Sequence, residues 1–251
     1  MVTAGTSISK HASVVGCLSG RRYDHVFFSG MALLILLTVF FGFARTYYLA
    51  GLLRAPLPSL IVHLHGAAFS CWIALLAVQT SLITARRVNI HRRLGIAGFT
   101  LACLMVVLGV WVNNRALARD TAPPDADRAN LYLLGMALIF VFGVLVLFAF
   151  RSRSNPAVHK RLIFIATVAL LPAATGRLPL AFVSGGIRNP SFLSYMFLLL
   201  LVVYDLWSTG KIHRATLAAA TFLIFTEQII MTIGHTARAQ SFADMMYAML
   251  R

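Results

Sequence analysis

The stretch that decides the fold runs from Asn130 to Phe150, NLYLLGMALIFVFGVLVLFAF, 21 residues without one charged side chain. Wound as an α-helix at about 1.5 Å per residue, it reaches about 30 Å, the thickness of a bilayer's hydrocarbon layer. Six further apolar runs lie around it, near Phe27–Ala50, Pro58–Ile83, Leu94–Val112, Leu162–Val183, Ser191–Ser208 and Ala215–Gly234. The pattern predicts an all-α polytopic membrane protein: a tail over residues 1–26, seven transmembrane helices over 27–235 and an outer tail over 236–251. In that last tail Phe242, Met245, Met246, Tyr247 and Leu250 are spaced for a short interfacial helix, too short for an eighth span.

Composition agrees. With 59% hydrophobic and 12% charged residues and a mean hydropathy of +0.82, the chain does not suit a water-facing globule. Its 22 basic and 7 acidic residues give a net charge of +15, which would ordinarily point to nucleic acid. Here the arginines fall mainly between apolar runs, so the charge reads as topology and lipid-headgroup contact, not as a nucleic-acid face. Thirteen basic residues lie on the side shared by the N-terminus, among them Arg86, Arg87, Arg92, Arg93, Arg151, Arg153, Lys160, Arg161, Lys211 and Arg214, against seven on the other. The positive-inside tendency therefore predicts a cytoplasmic N-terminus and, after seven spans, an outer C-terminus. The first 26 residues lack the apolar stretch and cleavage site of a signal peptide, so the N-terminus is expected to be kept. Cys17, Cys71 and Cys103 are too widely spaced for a metal motif or a disulfide framework and are read as core residues.

The chemistry lies in ionisable and polar groups inside the spans, which are costly against lipid and therefore mark interior or wet positions. His63 shares a face of the second span with Gly66, Ser70 and Ser81 and is expected to point into the bundle; His65, about 200° round the helix, shares a stripe with Trp72 and Gln79. Depth arithmetic places His65 about 10 Å below the outer surface and Glu227, the sole glutamate, at the same level. The two are expected to line one outer cavity, with Arg45, Arg177 and His235 near its mouth. The alternative for Glu227 is an ion pair with a buried arginine. Pro172 and Pro179 flank Arg177 and can bend the fifth span, and Asp205 is within reach of Lys211 or His213. A hydrolytic reading makes Glu227 a catalytic general base beside a divalent transition metal on His63, His65 and His235. A transporter or assembly subunit would use the same charges only structurally. HExxH, nucleophile-elbow and phosphate-loop motifs are absent from the sequence.

An internal echo links Asn89-Ile-His-Arg-Arg-Leu94 to Ala157-Val-His-Lys-Arg-Leu162, each just before a span. It puts His91 and His159 at the inner ends of two spans, where they either snorkel to headgroups or face each other across the bundle as metal or haem ligands. His65, Gln79, His91-Arg-Arg-Leu-Gly and His159-Lys-Arg-Leu together resemble a family of bacterial multi-helix membrane proteins catalogued as a domain of unknown function, itself remotely similar to cytochrome b561-type haem cores. The likeness covers about half the chain, residues 58–177. It implies a b-type haem bundle binding haem b through His65, His91 and His159. From their own positions Arg45 and Arg177 are available to a propionate, a lipid phosphate or a quinone oxygen, and a quinol or another redox carrier is the expected partner in a bacterial inner membrane. The sequence departs from a dihaem core in one respect: the fourth span, Asn130–Phe150, contains no histidine.

Overall fold

The computed structural model describes the backbone of residues 5–53, 59–119, 127–178 and 191–250, with side chains from residue 23 onward. It is helical throughout the described residues. Helix α1 runs over Gly5–Phe43 and continues as a π-helical turn at Ala44–Tyr48; α2 is Leu60–Thr84, α3 Val88–Ala118, α4 Arg128–Arg151, α5 Pro156–Val168, α6 Pro172–Thr175, α7 Ser191–Thr209, α8 Arg214–Ile233 and α9 Ala237–Leu250. Seven spans are long and apolar enough to cross a bilayer, the first being Tyr23–Tyr48 and the fifth the composite Pro156–Thr175. This is a multi-pass membrane protein. The expected spans match, with boundary shifts that have local causes.

The starts of α4 and α5 are set by side-chain caps. Asp127 accepts the Asn130 N–H at 3.0 Å ahead of α4, and Asn155 accepts the Val158 N–H at 3.4 Å, with Pro156 already helical in φ at the first position of α5. The fifth span thus begins six residues before the predicted Leu162. It is interrupted before Pro172, which cannot donate the next helical hydrogen bond. Its predicted end at Val183, like Pro179, lies outside the described residues. Helix α3 outlasts the apolar run at both ends; past Val112 Asn113 and Asn114 stay paired, donating to the Tyr132 carbonyl at 2.9 Å and accepting the Tyr132 hydroxyl at 3.0 Å. Helix α1 reaches back through most of the predicted N-terminal tail.

Consecutive helices pack as antiparallel neighbours from α1 to α5, and α7 packs on α1 while α8 packs on α4, α5 and α7. The ring α1–α2–α3–α4–α8–α7 closes on itself around α5–α6. In the central span 61% of residues are buried, against 17–33% in the other six. The ring helices turn large apolar side chains outward, Phe41, Val107, Phe140 and Phe225 among them, as lipid-facing surfaces do. Cys71 and Cys103 are on this exposed surface and not in the core; a thiol is apolar enough for lipid contact. The end of the bundle carrying Arg86–Arg93, Lys160 and Lys211 is called inner below, and the end carrying Asp127 and His235 outer.

Candidate functional site

At the inner end, α5 enters the ring and its second turn presents three consecutive polar residues to three different helices. Lys160 pairs with Asp24 of α1 at 2.6 Å and lies over the Phe28 ring. Arg161, 3% exposed, forms a buried ion pair with Asp205 of α7 and donates a further hydrogen bond to the Ala157 carbonyl at 2.8 Å. Asp205, expected beside Lys211 or His213 side chains, instead takes this guanidinium, the Thr216 hydroxyl at 2.6 Å and the His213 backbone N–H at 3.1 Å. His213 caps α8, its Nδ1 accepting the Ala215 N–H at 3.1 Å; burial, then the neighbouring Arg161, hold its imidazole below the ordinary value.

His159, first of the three, turns toward α3 and α4. Its Nδ1 lies 2.8 Å from the Ala149 carbonyl. A carbonyl can only accept, so Nδ1 carries the hydrogen and Nε2 keeps its lone pair. Across from it, on the first turn of α3, is His91. The two rings are perpendicular with centroids 6.4 Å apart. His91 Nδ1 is buried without a partner, as is the Oε1 of Gln79, whose amide nitrogen donates to the His91 carbonyl at 3.3 Å. Gly95 lies one turn beyond His91 on the same face, and a Cβ there would meet only the Gln79 amide, at 3.8 Å. The inner echo is therefore a facing pair.

The outer half does not form the single site expected. His63 is exposed rather than turned into the bundle, because the small face of α2 is filled by two tyrosines of α1: Tyr47 packs over Gly66 and donates to the His63 carbonyl at 3.2 Å, and Tyr48 is 2.8 Å from the Ser70 hydroxyl. His65 does face inward, stacked on Phe69 at 4.1 Å, its Nδ1 buried without a partner, with Leu108 and Arg177 nearby. Its stripe continues through Trp72, which donates to Thr167 of α5 at 3.2 Å, to Gln79. Arg177 bonds to the Ala173 carbonyl and lies over the Phe43 ring at 4.9 Å, while Arg45 is exposed on the π-helical turn. His65, Arg45 and Arg177 are thus separated from His91 and His159 by about 20 Å of helix and cannot serve the same cofactor.

Glu227 is 2% exposed and hydrogen-bonded to Ser191 and, at 2.8 Å, to Tyr195, both on α7. Neither His65 nor an arginine is its partner: α8 packs on α4, α5 and α7, whereas α2 packs on α1 and α3, on the far side of the central helix. The shared cavity and the ion pair are both corrected. His235 belongs to a third cluster, its Nδ1 2.6 Å from Asp127 and its Nε2 3.0 Å from the Asn130 amide, with Gln240 of α9 donating to Asp127 at 2.8 Å. Burial pushes the Asp127 carboxyl up, but the Asn130 N–H, Gln240 and His235 outweigh it and hold the group below the usual carboxylate value. His63, His65 and His235 do not converge, and no group of three metal-ligating side chains occurs among the described residues. A groove of about 610 Å³ opens between α4 and the α8–α9 turn, lined by Leu133, Ile233 and Phe242, without imidazole or carboxylate.

Comparison with protein-family models, curated proteins and solved structures finds no match. What the inner pair can do follows from its own geometry. Two imidazoles on neighbouring helices with ring centres 6.4 Å apart are close enough that both could hold one metal centre. An isolated zinc-type ion takes three or four protein donors, whereas haem iron already holds four ring nitrogens and needs two. Among the described residues the pair has no third donor, fewer than a zinc-type ion takes. Sequence reasoning missed Ser191 and Tyr195 as partners of Glu227, although their i, i+4 spacing on one helix face was visible.

Proposed function

We propose that the protein is a membrane-embedded b-type haem protein that transfers electrons, in which His91 and His159 would hold the haem, with the N-terminus in the cytoplasm of a bacterial inner membrane. The observation that carries this reading is the perpendicular His91–His159 pair, 6.4 Å between centroids, with His159 held by Ala149 so that its Nε2 lone pair is free. A carbonyl holding the second nitrogen is the usual way a ligating imidazole is oriented. The haem, when bound, supplies one-electron chemistry. Around it Gln79 steadies the first turn of α3, and Arg92, next to His91, offers a cation to a propionate. A quinol dissolved in the bilayer is the electron donor whose chemistry suits such a site. The resemblance to b561-type cores points the same way.

The test is the absorption spectrum of protein purified from haem-sufficient membranes, before and after dithionite. Reduced haem bands in the wild type, lost in both His91→Ala and His159→Ala at unchanged membrane yield, are expected. A wild type without haem bands, or single variants that keep them, would overturn the assignment.

A further inference from the structure

Two carboxylates are buried among the described residues of the spans, and their surroundings differ in kind. Asp205, 0% exposed, receives a guanidinium from Arg161. Glu227, 2% exposed, receives only hydroxyls among the described residues, from Ser191 and Tyr195. We propose that Glu227 is a proton-binding site in the outer half of the bundle, neutralised by an exchangeable proton where Asp205 is neutralised by an arginine.

Neutral donors satisfy hydrogen bonds but leave the charge in place, and a lone carboxylate in a low-dielectric interior is removed by protonation when no cation is at hand. Among the described residues, the charged and titratable groups on the packed helices have partners elsewhere. On α4, Arg128 lies over Tyr247, Tyr132 donates to Asn114, and Arg151 is at the opposite end. On α5, His159, Lys160 and Arg161 belong to the inner clusters. On α7, Tyr204 donates to Asp24, leaving Tyr195 as the titratable side chain that faces Glu227. The first turn of α7 offers a helix N-terminus, but that amounts to about half an elementary charge against a full one.

The hydrogen bonds also have a direction. The Gln228 amide nitrogen can only donate, and it is 3.1 Å from the Tyr195 hydroxyl, so that oxygen accepts and its own hydrogen goes to Glu227. Gln228 is exposed, Tyr195 half-buried and Glu227 buried, which makes the series a route from the surface to the carboxyl. Ser191 serves both states. Its hydroxyl donates to the carboxylate and can turn to accept from the protonated acid.

The proposal does not depend on haem, and its test leaves the haem reading untouched. Dicyclohexylcarbodiimide adds whole to a carboxyl that brings its own proton: that proton passes to a carbodiimide nitrogen, the carboxyl oxygen bonds to the central carbon, and the adduct rearranges to a stable N-acylurea. The full chain in mild detergent is treated between pH 5.5 and 9 and the label located by peptide mass spectrometry. Glu227 should be labelled at pH 6–7 and Asp205 not, with labelling falling as the pH rises. Tyr195→Phe, which removes one donor to the charged form, should extend labelling to higher pH. Glu227 unlabelled at every pH, in a protein whose detergent-unfolded form takes the label, overturns the proposal. So does protection by sodium chloride but not by choline chloride, which would make the occupant a sodium ion.

Discussion

Replacing Arg161 by Met should destabilise the bundle by about 3–5 kcal/mol, the ordinary cost of removing one member of a buried ion pair. The structure locates that cost. Asp205 is 0% exposed, and without the guanidinium its carboxylate keeps only the Thr216 hydroxyl at 2.6 Å and the His213 N–H at 3.1 Å. Both are neutral donors. Removing both charges, in Arg161→Met with Asp205→Leu, eliminates the uncompensated carboxylate. It leaves the His213 N–H and the Thr216 hydroxyl without their acceptor, at about 1–3 kcal/mol for a buried orphan. Thr216 can turn to a helix carbonyl as Thr167 and Thr175 do, so the His213 N–H dominates. The double variant should therefore be more stable than Arg161→Met alone. Unfolding in mixed dodecyl sulfate micelles, followed by circular dichroism, gives the three free energies and their coupling. A single-variant cost below about 1 kcal/mol, or a double variant costing the sum of the two singles, would refute a buried, mutually dependent pair. Arg161 is two residues from His159, so the haem spectrum of the same samples also reports whether the pair fixes the rotation of α5.

Reporter fusions at Arg87, Arg153 and Lys211 should read cytoplasmic and a fusion at the C-terminus outer, as the thirteen-to-seven basic bias requires; a cytoplasmic C-terminus would contradict it. Folded His213 takes up a proton less readily than the free side chain, so its contribution is complete above the ordinary 6.5 and is lost as pH falls below it. His213→Asn, which keeps a capping acceptor, should flatten the stability profile between about pH 7 and 5. Asp127 is held below its ordinary 3.8, so its stabilisation is present above that value and disappears as pH falls through the folded one; the Tm gap between wild type and Asp127→Asn should close in that window. Gly42→Ala sets a Cβ against the Ala174 backbone, which cannot move aside as a side chain can, and should cost about 1–3 kcal/mol in the same unfolding assay.

Element type and number were legible because each span is longer than any soluble-core helix needs to be and nearly free of charge. The facing of α2 was legible too. His65, Trp72 and Gln79 form one inward stripe, as the 100° step predicts, and Trp72 reaches Thr167 on the central helix. Depth was a weaker guide. A rise per residue gives height and says nothing of azimuth, and His65 and Glu227 lie on helices at opposite sides of α5. The same limit placed His235 near His63, although Asp127, close to the start of α4, was the nearer acceptor. Partners contributed by a different helix are set by the order of helices around the ring, which hydropathy does not encode.

One signal for that order was present in the run His159-Lys160-Arg161. Consecutive residues on a helix point about 100° apart, so three in a row sweep more than half of its circumference. On a ring helix one of the three would face lipid and be left to snorkel. Here the inner turn of α5 has no lipid side. His159 goes to α3 and α4, Lys160 to α1 and Arg161 to α7, and each finds an acceptor or an aromatic neighbour there. Three adjacent polar residues at a span end, each buried or half-buried by a different partner, require a helix surrounded on every side. The high buried fraction of this span follows from the same placement. The candidate ligand His159 therefore sits on the helix with the least freedom to rotate. A helix enclosed on every side holds that imidazole in register, whereas on a lipid-facing helix fewer contacts would do so.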